Sequence, residues 1–140
     1  MRKWIAAVPA VILLIILMAP SVSYTEDTST IQLARTLYAL GRGESYETKL
    51  AIGTVVMNRV ESPWFDATLA GVLSEQQQFP AGERYDDESL RAAHAVLAGE
   101  RTLDSGVLYF QSEDASDPWS GLTPAEEVGG YRFYTESGNI

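Results

Sequence analysis

The sequence predicts a mainly helical α+β domain with a short antiparallel sheet near its C-terminus, and three observations carry that prediction. Apolar residues recur at three- and four-residue spacing through segments between Ile31 and Leu97, the pattern of helix faces turned toward a core. The last third changes period, with Val107 to Gln111 and Tyr131 to Tyr134 reading as strands. The chain has 140 residues, and once its N-terminal segment is set aside about 110 remain, enough for one small domain and not two.

Taken in order, residues 1–23 read as a signal peptide or an N-terminal membrane anchor. Arg2 and Lys3 precede an apolar run from Trp4 to Met18, and Ser21-Val22-Ser23 offers small residues for cleavage. The run falls short of the roughly 20 residues a membrane span needs, although Pro20 and its flanks extend it. On either reading the domain is exported, secreted or held at the outer face of the cytoplasmic membrane. Residues 24–30, rich in Ser, Thr, Asp and Glu, read as a linker, and residues 31–140 as the domain.

Leu33, Leu37 and Leu40 mark the core stripe of a first helix, with Ser29 and Gln32 as a capping box and Gly41 as its C-cap. A second helix covers Glu47 to Val60. Its apolar residues, Leu50, Ile52, Val55, Val56, Met57 and Val60, fall on more than one side, as expected of the central buried helix. Ser62-Pro63-Trp64 breaks it, and Thr68 to Leu73 forms a short helical piece. A polar, aromatic-tipped loop, Gln76 to Tyr85, leads to a third long helix capped by Asp86 or Asp87, with Leu90, Ala93 and Leu97 on one face and Gly99 at its end. Gly129-Gly130 introduces the final strand.

Composition excludes several chemistries. There is no cysteine and a single histidine, so there is no disulfide framework, no thiol nucleophile and no usual zinc ligand set; no cofactor is expected. Acidic residues outnumber basic ones 19 to 10, which argues against a nucleic-acid partner held through phosphates. Removal of Arg2 and Lys3 takes the formal charge from −9 to −11.

The run LARTLYALGRGESYETKLAIGTVVMNRVESPWF, followed in order by TLAGVL, QFPAG, SLRAAHAVLAG, GVLYF, DPW and VGGYRFY, resembles the catalytic domain of SleB-type cell wall hydrolases, the spore-cortex-lytic enzymes. The resemblance runs from about Ile31 to Tyr134. Its most specific pieces are Arg42 to Glu47, Val56 to Val60 and Gly130 to Tyr134. It implies a lysozyme-like fold and a wall-associated enzyme that cuts peptidoglycan glycan strands, generally as a lytic transglycosylase, with those strands as its partner; separately, the chain is expected to act as a monomer. One departure bears on catalysis. The family pattern at the first helix end is typically Glu-Ala-Arg-Gly-Glu, and here Leu40 stands in place of the first carboxylate. If that first Glu is the family's acid, this chain has lost it and is a glycan-binding relative. If it is the second, Glu44 keeps the chemistry.

The resemblance makes Glu44 the catalytic residue expected here, and its place just before the second helix, whose positive dipole end and free N–H groups fix a carboxylate, suits that role. A single carboxylate suffices when the sugar's own 6-hydroxyl is the nucleophile. Its acid form needs an apolar setting, for which Tyr38, Leu40, Tyr46 and Phe79 are available. The plain alternative is a helix-capping charge. Sugar contact is expected from Tyr46, Gln78, Phe79 and Tyr109, since amides bind hydroxyl and N-acetyl groups and aromatic rings stack on sugar faces. Equally open is Phe79 folded into the core. Trp119 and Tyr131 invite the same reading but suit strand packing. Glu47 reads as a solvated first-turn acid, Asn58 and Arg59 as helix-end residues bonding carbonyls, and His94 as structural or exposed.

Overall fold

The computed structural model describes residues 26–75, 78–115 and 121–136. The expected leader at 1–23, Gln76, Gln77 and Trp119 lie outside the described residues. Four helices, α1 (Thr28–Leu40), α2 (Tyr46–Glu61), α3 (Leu69–Leu73) and α4 (Asp87–Leu97), precede three strands, β1 (Val107–Ser112), β2 (Leu122–Val128) and β3 (Tyr131–Glu136).

Helix α2 is central, as its many-sided apolar pattern predicts. Leu50, Ala51, Ile52, Val55 and Val56 are all buried, and the helix packs against α1, α3, α4 and the sheet. Helix α1 contributes Leu33, Ala34 and Leu37, and α4 contributes Ala92, Ala93 and Val96. Gly53 of α2 lets α4 come close, since a Cβ there would sit 3.1 Å from Val96. The sheet is antiparallel in the order β1-β3-β2 and closes the core through Val107, Phe110 and Phe133. Phe110 is the aromatic hub, with ring centroids 5.9 Å from Phe79, 5.7 Å from Tyr131 and 6.1 Å from Phe133.

Two expectations need correction. Helix α1 starts at Thr28, inside the stretch read as a linker, with Asp27 rather than Ser29 at the N-cap and no side-chain capping bond. Burial of Thr30 against the core outweighs the weak helix preference of Thr-Ser-Thr. The sheet has a third strand where none was expected. Leu122–Val128 carries a proline and two adjacent glutamates, and its middle is exposed, as befits an edge strand with no alternation to read. The remaining boundaries fall within a residue or two. Asp86 caps α4 by accepting from Ser89 N–H at 2.8 Å, and Gly99 follows the helix end at φ +109°. His94 is exposed and meets Glu26 at 3.0 Å.

Candidate active site and an aromatic pocket

Glu44 lies in the turn between α1 and α2. Gly41 closes α1 by donating its N–H to Leu37 at 2.8 Å; a side chain there would collide with that carbonyl and with Lys49, so close approach requires the glycine. Gly43 supplies the one left-handed residue of the turn, at φ +79°. The Glu44 N–H then donates to Gly41 at 2.9 Å, and Lys49 Nζ, buried and paired with Glu88 at 2.6 Å, donates to the Glu44 carbonyl at 3.3 Å. Ser45 caps α2 through Thr48. The backbone of Glu44 is therefore fixed on both sides.

Its half-buried carboxylate rests on the β2–β3 turn. Gly130 N–H donates to both oxygens, at 3.2 and 3.3 Å, and the Thr48 hydroxyl donates to Oε2 at 3.5 Å. Gly129 and Gly130 make this approach possible. A Cβ on Gly129 would overlap Glu44 and Thr48, and one on Gly130 would meet Glu44 Oε1 at 2.5 Å. Beside them the Tyr131 hydroxyl donates to the Leu40 carbonyl at 2.6 Å. Burial, and secondarily the Glu44 charge, push the Tyr131 phenol above its ordinary value. Across Gly130 stands the exposed Glu113, its Oε1 3.9 Å from the point that a Gly130 Cβ would occupy. Glu113 is thus a second carboxylate near Gly130 and Glu44. Leu40 is half-buried against the core, as the continuing leucine stripe implies.

The residues expected to touch sugar are not gathered in one place. Tyr46 packs on the core under the Arg91 guanidinium, 5.2 Å above its ring. Phe79 is 2% exposed and tilted onto Phe110, which corrects its assignment as a stacking platform: buried in the core, its ring is closed to a sugar. Gln78 and Tyr109 instead line an open cavity of about 580 Å³ with Arg59, Phe65, Glu75, Gly121 and Leu122. This cavity lies near the far end of α2. Arg59 stands thirteen residues beyond Tyr46, the first residue of α2, or about 20 Å along the axis.

Arg59 organises this second region. It is 1% exposed, and its guanidinium donates to the Leu108 carbonyl at 2.7 Å, Glu75 at 2.9 Å and Gln78 at 2.8 Å. The rings of Phe65, Phe79 and Tyr109 surround it at 4.6, 5.2 and 5.5 Å. Burial lowers its pKa, and Glu75 opposes that shift. Asn58 beside it donates to the carbonyls of Asp104 and Val107. The carbonyl-bonding role read for both residues holds, but the aromatic ring around Arg59 comes from distant segments and had no local signal. The Thr48–Gly130 cradle was equally hidden, with the glycine pair its one visible trace. Among the described residues no cluster of His, Asp or Glu is suited to a metal, and no helix is long and apolar enough to cross a membrane.

Comparison with known proteins places these features in a family. Residues 43–134 match the Cell Wall Hydrolase family model, a stretch that includes Glu44 and begins after Leu40. The spore cortex-lytic enzyme of Bacillus subtilis is 37% identical over 108 residues, covering 72% of this chain and 35% of the relative. That of Oceanobacillus iheyensis is 32% identical over 124 residues, covering 81% and 45%. The chain thus spans less than half the length of these relatives. Among solved structures, the catalytic domain of the germination-specific lytic transglycosylase SleB from Bacillus anthracis superposes with a TM-score of 0.70 at 24% identity, over 81% of this chain and all of that one. The catalytic domain of the Bacillus cereus SleB protein gives 0.69, also at 24% identity, over 81% and 95%. These superpositions establish the mainly helical, lysozyme-like fold, and with the family match over more than half its length the chain belongs to the SleB-type Cell Wall Hydrolase family.

Proposed function

We propose that this chain is an exported enzyme that cleaves peptidoglycan glycan strands, with Glu44 as general acid and then base. The observation that supports this most directly is the half-buried Glu44 carboxylate, fixed where the α1–α2 turn, the first turn of α2 and the Gly129-Gly130 turn meet. Protonated Glu44 donates its proton to the glycosidic oxygen as the bond to the anomeric carbon breaks. The resulting carboxylate takes the proton of the sugar's 6-hydroxyl as that oxygen attacks the same carbon, giving a 1,6-anhydro end. Gly130 N–H holds the carboxylate in position throughout, and neither step needs a cofactor. Export rests on the basic start and apolar run of residues 1–23.

The second reading, a wall-binding relative that does not cut, is favoured by Leu40 at the helix end. The deciding experiment incubates the protein and its Glu44→Gln variant with purified peptidoglycan and with spore cortex, and identifies released fragments by mass spectrometry. Anhydro-ended fragments from the wild type and none from the variant are expected. Fragments with a free reducing end would instead mean that water, activated at Glu113, replaces the 6-hydroxyl. Intact glycan from both proteins would overturn cleavage, and gain of cutting in Leu40→Glu would then assign the lost acid to position 40.

A further inference from the structure

The cavity at the far end of α2 brings aromatic rings, a carboxylate and an amide together. Its wall combines Phe65 and Tyr109, which meet edge to face at 6.1 Å, with the side chains of Glu75 and Gln78. Glu75 is about one-third exposed and already oriented by Arg59. Directly before Phe65 in the chain stands Trp64, which at 75% exposed is the most exposed large apolar residue described. Aromatic faces beside a fixed carboxylate and amide match a sugar, whose C–H face stacks while its hydroxyls donate. Anionic ligands fit poorly, because the cavity's cation, Arg59, is committed to Glu75, Gln78 and the Leu108 carbonyl in a chain of net charge −9.

We propose that this cavity, together with the exposed Trp64 that precedes Phe65 in the chain, is a sugar-binding subsite that holds an N-acetylated hexosamine ring of the glycan strand near the end of α2 opposite to Glu44. The inference rests on the glycan-cleaving reading for its choice of ligand but not on Glu44 for its binding. Such a subsite grips a part of the strand that is not being cut. It therefore tightens binding of long strands and leaves the rate at saturation unchanged.

The test is a titration of the full chain with chitotetraose by calorimetry, repeated with Trp64→Ala, Tyr109→Ala and Glu44→Gln, each checked for wild-type thermal unfolding. Expected is an affinity at least tenfold weaker in Trp64→Ala and Tyr109→Ala. Glu44→Gln, which addresses cleavage alone, should bind like the wild type. Trp64→Ala guards against misfolding, since its exposed ring leaves the core untouched. Wild-type affinity in both aromatic variants overturns the subsite, whether or not the wall is cut. Tenfold loss in both, with no fragments released from peptidoglycan by the wild type, upholds the subsite while overturning cleavage.

Discussion

Gly130 shows how a single absent side chain positions the candidate acid. A methyl group at this position would stand 2.5 Å from Glu44 Oε1, within the space the carboxylate must occupy to accept the Gly130 N–H. Gly130→Ala is therefore expected to fold and to lose about a hundredfold in cutting rate, the cost of misplacing a catalytic group by about 1 Å. Turnover of purified peptidoglycan measures the loss, and an unchanged rate would detach Glu44 from the chemistry. Arg59 makes the contrasting case, in which a charge serves stability. Its planar fork reaches Leu108, Glu75 and Gln78 together, a geometry that a lysine ammonium cannot reproduce. Arg59→Lys should lower stability by about 3 kcal/mol, since it leaves buried acceptors unmatched. Urea unfolding reads this directly; a change under about 0.5 kcal/mol would mean that aromatic packing alone supports the site.

Among the elements, α4 depends on its cap. Asp86 accepts the Ser89 N–H, and hydrogen bonding to Ser89 pulls its pKa below the ordinary 3.8. A lowered folded-state value means that the stabilisation is present above pH 3.8 and is lost as pH falls through the folded value. Asp86→Ala should therefore cost about 1 kcal/mol at neutral pH, with the gap to wild type closing in acid. Thermal unfolding at the two pH values checks it; an equal gap at both would exclude the charge. This cap was legible because Asp86 and Asp87 directly precede the apolar period of Leu90, Ala93 and Leu97. The helices were visible for the same reason: each turns a periodic face to one core. Strand β2 was not, because an edge strand with exposed Pro124, Glu126 and Glu127 gains its structure from pairing with β3 rather than from its own pattern. The candidate site divides likewise. Glu44 and the two glycines were readable in the chain, whereas their meeting, and the gathering of Phe65, Glu75 and Tyr109 around Arg59, depend on contacts between distant segments.

At the scale of the whole molecule, Tyr131 joins the helical and sheet halves. Its ring packs edge to face on Phe110 inside the core, while its hydroxyl reaches across to the last carbonyl of α1 at Leu40, beside Glu44. The phenol must stay protonated to make that bond, and burial followed by the Glu44 charge raises its pKa above the ordinary 10.0. A raised folded-state value gives stability that is fully present below pH 10.0 and is lost as pH climbs through the folded value. Tyr109 adds to the same trend, raised by burial and by its bond to Glu136. Urea midpoints should therefore hold up to about pH 9 and fall toward about pH 11. In Tyr131→Phe the midpoint at pH 9 should drop by the equivalent of about 1 kcal/mol for the lost hydrogen bond. Its further decline with pH should be shallower than in the wild type yet not flat, since Tyr109 still titrates. Parallel curves for the two proteins would show that the link between Tyr131 and Leu40 does not bear on the stability of the fold.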